Sequence, residues 1–313
     1  AYLFDNADLV ALVHDVAFAP RVAAVAPRIG RLRHFVAMPG PPDDESGAVA
    51  SDPDVVDALG RLGSVPIADA LASASPERDF GERSDDDRYV LYTGGTTGMP
   101  KGVVWRHEDV FFALGGGIDA YTQERVASDT QLAEKALATE NPMVTLSAPP
   151  LMHGAAQWST LRFWFEGGTV VFVPRFSPHA VWAAIEREGV NTVMITGDAM
   201  ARPLIEALEE DPARYDLSSL FVVSSSAAVF SPTVKDRYLE LIPNALIIDS
   251  IGSSEGGMNG MIAVQKGETA MKGGGPTVTP SRDAVVLDAD LVPVEPGSGT
   301  IGRVARGGNI PLG

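Results

Sequence analysis

Short apolar runs rich in Val and Ile alternate along this chain with amphipathic stretches of helical period, and that alternation restricts the fold more than any other feature. It is the pattern of βαβ units feeding a parallel sheet. The runs predict strands over 9–13, 34–38, 89–93, 144–147, 169–173, 192–195, 220–224 and 246–249. Between several of them, helices are predicted over 19–29, 108–120, 131–138, 178–188, 199–209 and 232–241. The last begins with Ser231-Pro232, an N-cap followed by proline in the first turn. The expected fold class is α/β.

Two stretches interrupt the pattern. Residues 39–54 are rich in Pro, Asp, Gly and Ser, and 73–88 are strongly charged; both read as surface connections, the second as a subdomain boundary. After Gly273-Gly274-Gly275-Pro276 come short strand-like runs at 284–287 and 300–305, broken by glycine and proline. The division expected is therefore 1–80, 81–272 and a small β-rich tail, 273–313.

Composition excludes several function classes. Apolar residues at 45% and charged residues at 21% are those of a soluble globular chain, neither disordered nor fibrous. Lys and Arg total 24 against 41 Asp and Glu, a net charge of −17. Broad attachment to nucleic acid or anionic lipid is therefore opposed, and a polyanionic ligand needs local donors and a metal. With no cysteine, disulfides, thiolate metal sites and a cysteine nucleophile are removed. No apolar run approaches the ~18 residues of a membrane span, and the first residues lack a basic signal-peptide region. A cytoplasmic setting fits. The chain opens without methionine and stops abruptly after Gly308-Asn309-Ile310-Pro311-Leu312-Gly313, so a piece of a longer protein is expected.

Residues 92–102 read YTGGTTGMPKG. The strand 89–93 runs straight into Gly94-Gly95-Thr96-Thr97-Gly98, where glycines allow positive φ and close backbone approach to a ligand. Amide hydrogens in such a loop converge on an anion, and threonine hydroxyls and Lys101 add donors. A Walker A loop needs lysine straight after glycine and then Ser or Thr, whereas Lys101 follows Pro100 and precedes Gly102. The P-loop reading fails on the residues themselves.

Residues 92–102 resemble the signature YTSGTTGxPKG of the adenylate-forming superfamily, which includes acyl-CoA synthetases, nonribosomal-peptide adenylation domains and luciferases. Gly94 stands where most members have serine. Further resemblances follow in order. Pro150-Leu151-Met152-His153-Gly154 is similar to PLFHxxG, Ser225-Ser226-Ala227-Ala228-Val229-Phe230-Ser231-Pro232 to SGGAPLSP, and Asp249-Ser250-Ile251-Gly252-Ser253-Ser254-Glu255 to the segment ending YGxTE. Residues 299–313, GTIGRVARGGNIPLG, resemble the stretch leading to the family hinge. YTGGTTGMPKGVVWRHED, GDAMARPL, YDLSSLF and DSIGSSEGG together resemble the actinobacterial branch of fatty-acyl and steroid side-chain acyl-CoA ligases.

The resemblance implies the family's N-terminal domain, with parallel-rich sheets layered with helices and a small distorted β-barrel-like subdomain. It implies a two-step reaction: a carboxylate attacks the α-phosphate of ATP to give acyl-AMP and pyrophosphate, then the thiol of CoA displaces AMP. Thr93, the amides of Gly94, Gly95 and Gly98, Thr96, Thr97 and Lys101 would hold the β- and γ-phosphates. Glu255, with Thr96, would hold Mg²⁺. Ser226, Ala227 and Ala228 would line the adenine, and Asp249 would accept from its amino group. Ser250, Gly252 and Ser253 belong to the same nucleotide segment. Ile251 replaces the tyrosine that stacks on adenine, and Ser254 would reach the α-phosphate. Lys101, Thr96, Glu255 and His153 are the implied catalytic residues. His153, Trp158, Gly197, Asp198, Met200 and Gly252 are the candidates for an apolar acyl pocket, with Asp198 also read as a helix N-cap. Partners implied are an acyl substrate and CoA, with no nucleic acid and no integral membrane segment; a homodimer is left open.

Two other readings stand beside the ligase: an acyl-AMP ligase or adenylation domain that loads a carrier protein, and a non-catalytic nucleotide- or acyl-binding module. The family's carboxylate-orienting lysine lies in a C-terminal domain beyond the matched motifs. Purified residues 1–313 are therefore expected to form acyl-CoA weakly or not at all. Thioester formation measures this, and robust turnover by these residues alone would overturn it.

Overall fold

A computed structural model describes all residues except 41–43, 95–97, 119–123 and 269–277. The chain divides into two compact units, 1–83 with 95–102, and 84–94 with 103–313.

The first unit contains α1 (Tyr2–Asn6), β1 (Ala11–Asp15), α2 (Ala19–Val25), β2 (His34–Met38), α3 (Asp44–Ala50), α4 (Pro53–Leu62), β3 (Val65–Pro66) and α5 (Ile67–Ser73). Its three strands run parallel in the order β1-β2-β3. Ala19, Ala23, Ala37, Val55 and Ala58 bring α2 and α4 onto the sheet. The 39–54 stretch was expected to be a surface connection, yet it contains α3 and the start of α4. Its acidic and proline residues are helix-start chemistry: Asp52 accepts from Asp54 N at 2.8 Å, with Pro53 in the first turn.

The second unit comprises β4 (Arg88–Thr93), most of β5 (Lys101–Arg106), α6 (His107–Leu114), α7 (Asp129–Ala138), β6 (Val144–Ser147), α8 (Gly154–Phe165), β7 (Thr169–Val171), α9 (Pro178–Glu188), β8 (Thr192–Ile195), α10 (Gly197–Glu210), β9 (Val222–Ser225), α11 (Pro232–Leu241), β10 (Leu246–Ser253), β11 (Gly257–Val264), β12 (Thr279–Pro280), β13 (Ala284–Leu287) and β14 (Arg303–Arg306). Seven strands form its main sheet in the order β12-β11-β10-β9-β8-β6-β7. From β7 to β10 neighbours are parallel, joined by α8 to α11 as crossovers; β11 and β12 add antiparallel edges. β13 pairs with β14 and β4 with β5, each as a two-stranded sheet, and Leu287 at the end of β13 also bridges Pro293.

Every residue of β8 is buried, as befits a central strand covered on both faces. Leu146, Val193, Ile195, Val223 and Ile247 from the strands meet Trp182 and Ile185 of α9, Leu204, Ile205 and Leu208 of α10, and Val234 and Tyr238 of α11. Two polar tips in this core are satisfied: Trp182 Nε1 donates to Leu204 O at 2.8 Å, and the Tyr238 hydroxyl donates to Ala201 O at 3.0 Å. Burial raises the Tyr238 hydroxyl far above the ordinary phenol value, so it stays a donor. Among the described residues no helix is long and apolar enough to cross a membrane.

Trp182 is fully buried and links three helices, so Trp182→Ala is expected to cost about 3–5 kcal/mol. Urea unfolding of the two proteins measures it, and a loss below 1 kcal/mol, roughly a surface effect, would contradict the packing described.

Candidate functional site

The parallel strands place four loops side by side. Ser147 of β6 pairs with Met194, Ile195 of β8 with Ser225 of β9, and Ser225 with Asp249 of β10. The carboxyl ends of β6, β8 and β9 are thus level with Asp249 of β10, and the segments 148–153, 196–198 and 226–231 leave from one edge, beyond which β10 continues into the hairpin tip at 250–256. Crevices outside the carboxyl ends of parallel strands are where α/β sheets bind ligands.

Close backbone contact knits the loops. Gly197 sits at φ +48°, and a Cβ there would lie 2.5 Å from Val229 O and 2.7 Å from the Ala228 carbonyl carbon. Gly197 N donates to the buried Ser225 hydroxyl at 3.0 Å, and Asp198 N to Val229 O at 2.8 Å. The Ser250 hydroxyl donates to Ser225 O at 3.1 Å. Ser226 follows this knot, Ala227 lies exposed with φ +69°, and Ala228 faces Gly197. A non-glycine residue in that region costs roughly 1–2 kcal/mol, a strain that functional loops commonly hold.

Asp198 takes a role other than the expected cap. Thr196 is the N-cap of α10, and Asp198 lies in its first turn. Asp198 Oδ1 accepts from Ser231 N at 2.8 Å, and Oδ2 accepts from Arg202 at 2.7 and 3.1 Å. It ties the loop after β8 to the start of α11. Partial burial alone would raise its carboxyl, but the hydrogen bonds from Ser231 and Arg202 outweigh that and hold it below the ordinary aspartate value. Met200 packs against the main core.

β10 and β11 form a hairpin with a bulge between Ile251 and Gly252, and Ser253 faces Gly257 across its tip. Gly256 N donates to the Ser253 hydroxyl at 3.0 Å. Ile251, Gly252, Ser253 and Glu255 are exposed and Ser254 is half-buried, all at the mouth of the hairpin. The Ser254 carbonyl accepts from Trp105 Nε1 at 3.1 Å. Trp105, buried on β5, stacks edge-on against Trp158 of α8 with ring centroids 6.4 Å apart. The strand leading out of the glycine loop is thereby fastened to the loop that carries Glu255. Gly154 fits beneath Trp158: a Cβ there would meet Leu91 at 2.7 Å and the indole at 3.1 Å. His153 is the exposed N-cap of α8.

Thr93 ends β4 and Lys101 begins β5, flanking the glycine loop, with Lys101 exposed. Gly95, Thr96 and Thr97 lie outside the described residues. Gly98 has φ +143°, a value side chains rarely adopt, whereas a Cβ on Gly94 would meet nothing within 4 Å. The serine usual at position 94 of the resembled signature would fit there. Among the described residues no three His, Asp or Glu side chains converge on a cation position.

Sequence reading missed Lys235, which is 3% exposed and donates from Nζ to Asp249 Oδ2 at 2.6 Å. The signal was its spacing from Tyr238 and Leu239, which puts it on the buried face of α11. Trp105 and Gln157, which accepts from the Tyr89 hydroxyl through Oε1, were also missed. A cavity of about 210 Å³ between α7 and α8, lined by Leu132, Ala136, Met143 and Phe163 among others, contains none of the expected site residues.

A family model described as AMP-binding enzyme matches residues 1–309. The chain is 50% identical over its whole length to the 3-oxocholest-4-en-26-oate–CoA ligase of Rhodococcus rhodochrous, covering 54% of that protein. It is 49% identical over its whole length to a medium/long-chain-fatty-acid–CoA/3-oxocholest-4-en-26-oate–CoA ligase of Mycobacterium tuberculosis, again covering 54%. The chain thus spans about half the length of these relatives. Among solved structures, apo MatB from Rhodopseudomonas palustris superposes with a TM-score of 0.66 at 19% identity, covering 100% of this chain and 53% of that one. The anthranilate CoA ligase AuaEII, solved with anthranoyl-AMP, gives 0.67 at 17% identity, covering 97% and 51%. These likenesses show the same α/β fold.

Two outcomes test this geometry. Gly197→Ala must push the 226–231 loop away and is expected to cost about 1–3 kcal/mol, read by thermal unfolding. A variant as stable as the parent would mean the loops are not in contact. Asp198 contributes stability that is fully present above the ordinary aspartate value near 3.8 and lost as pH falls through its depressed native value. Asp198→Asn should therefore flatten the acid limb of a stability-against-pH curve below about pH 5, and an unchanged limb would refute the clamp.

Proposed function

The chain belongs to the AMP-binding enzyme family, and on that premise we propose that the protein carrying it activates a carboxylic acid as acyl-AMP and transfers the acyl group to CoA. The observation that carries the reading is the meeting of 196–198, 225–231 and 249–255 at one sheet edge, although a whole helix separates each from the next in sequence. That edge offers backbone, a carboxylate at Asp249 and small side chains at Ser226, Ala227 and Ala228, the surroundings a flat purine needs.

In the first step a carboxylate oxygen bonds to the α-phosphorus of ATP while the bond to pyrophosphate breaks. In the second the CoA sulfur bonds to the acyl carbon, AMP leaves, and the thiol proton passes to solvent. The protein's work is positioning and charge stabilisation. Lys101 and the hydroxyls and amides of 93–98 would take the β- and γ-phosphates, and Ser254 would reach the α-phosphate. Mg²⁺, when bound through Glu255 and phosphate oxygens, supplies positive charge against the accumulating negative charge. The −17 charge of the chain makes such a counter-ion the more necessary. His153 and Trp158, at the start of α8, and Gly252 on the opposing hairpin are the residues assigned to the acyl entrance. The Rhodococcus relative is named for 3-oxocholest-4-en-26-oate, and the Mycobacterium relative for that acid and for medium/long-chain fatty acids. The acid proposed here is likewise one with an extended apolar body, and ATP and CoA as co-substrates fit a cytoplasmic reaction.

Calorimetry with a non-hydrolysable acyl-sulfamoyl adenosine tests the site. One-to-one binding is expected, surviving Lys101→Ala because the adenylate has no β- or γ-phosphate. The same variant should weaken ATP·Mg²⁺ binding by about 10-fold or more. A folded protein that binds neither ligand would overturn the reading.

A further inference from the structure

Among the described ion pairs, that of Lys235 and Asp249 is the most buried, with side chains 4% and 11% exposed. Lys235 Nζ lies 2.6 Å from Asp249 Oδ2 and 5.4 Å from the centre of the Phe230 ring, which is itself buried. Lys235 N also donates to Ser231 O at 3.0 Å, in the first turn of α11. The lysine is therefore held at both ends and sealed from any ligand. Asp249 stands at the carboxyl edge of the sheet, level with Ser225. Among the described residues its second oxygen, Oδ1, has no hydrogen-bond partner.

An ammonium only donates and a carboxylate only accepts. Lys235 occupies one acceptor of Asp249 and leaves the other without a partner among the described residues. A buried pair of this kind is weak grounds for stability, because well-packed apolar residues often serve as well. We infer that Lys235 is a positioning residue that fixes Asp249 as an acceptor-only reader of the purine 6-position, admitting a 6-amino base and rejecting a 6-oxo base. The inference rests on the nucleotide reading proposed above. It adds to that reading a residue that never touches the ligand.

The test compares AMP and IMP by calorimetry on the 313-residue chain, with thermal unfolding alongside. The parent is expected to bind AMP about 10- to 100-fold more tightly than IMP. In Asp249→Asn the ammonium can bond only the amide oxygen, so the amide nitrogen turns to the base and the preference should invert toward IMP. Adding Lys235→Met frees the amide to turn either way, and the ratio should fall near one. Asp249→Asn alone leaves a buried ammonium without its carboxylate and so threatens folding; the double variant, a neutral pair of similar size, tests whether Asp249 reads the base, and Lys235→Met with Asp249 kept tests the lysine, since its AMP preference should fall by about 10-fold. A parent-like AMP preference in the double variant, or in a folded Asp249→Asn protein, would overturn the inference, since a merely structural pair moves the melting temperature and not the ratio. A parent that binds AMP and IMP alike overturns it too, with the nucleotide site intact. A parent that binds neither nucleotide fails the proposed site, and the inference with it.

Discussion

Strand register is the constraint on which this site depends. Because β8, β9 and β10 run parallel with Ile195, Ser225 and Asp249 abreast, the segments after β8 and β9 begin level with the stretch of β10 that leads into its hairpin. Side chains alternate faces along each strand, so a slip of one residue would turn every inward group outward. The register is fixed by burial: Val193, Ile195, Val223 and Ile247 are fully or almost fully enclosed between helices on both faces. The apolar core thus sets the positions of polar groups that it does not touch.

Once the loops are level, very short contacts join them. Gly197 approaches the 228–229 backbone more closely than a side chain permits, and the Asp198 carboxylate closes the same junction. The two adjoining residues act in complementary ways, one by lacking a Cβ and the other by supplying an acceptor. Neither property depends on the ligand. The surface proposed to face the nucleotide is accordingly made from backbone that the fold's own contacts position, and positioning in advance lowers the ordering cost of binding.

How much was legible in the sequence depended on whether a local signal existed. β2, β6, β8, α9 and α11 agree with their expected bounds because short Val- and Ile-rich runs and a Ser-Pro start are local features. Helix α8 was missed since GAAQWSTLRFWF is apolar and aromatic around much of its circumference, leaving little 3.6-residue periodicity to read. β11 was missed because glycine and methionine in GMNGMIAV dilute the strand signal. The order of the site motifs could be read directly, but their fastenings could not. The Trp105 bond to Ser254 spans 149 positions, and a lysine on a helix ordinarily signals solvent. Only packing reveals that Lys235 faces inward and Asp198 faces a neighbouring loop.

The Trp105–Trp158 pair has an optical consequence. Two of the chain's four tryptophans meet edge to face, one with its indole N–H bonded to the carbonyl of Ser254. Indole emission shifts in colour and intensity with the dipoles and hydrogen bonds around the ring. Any rearrangement of the hairpin mouth therefore alters the light the protein emits, and this part of the fold contains its own fluorescent gauge of loop position.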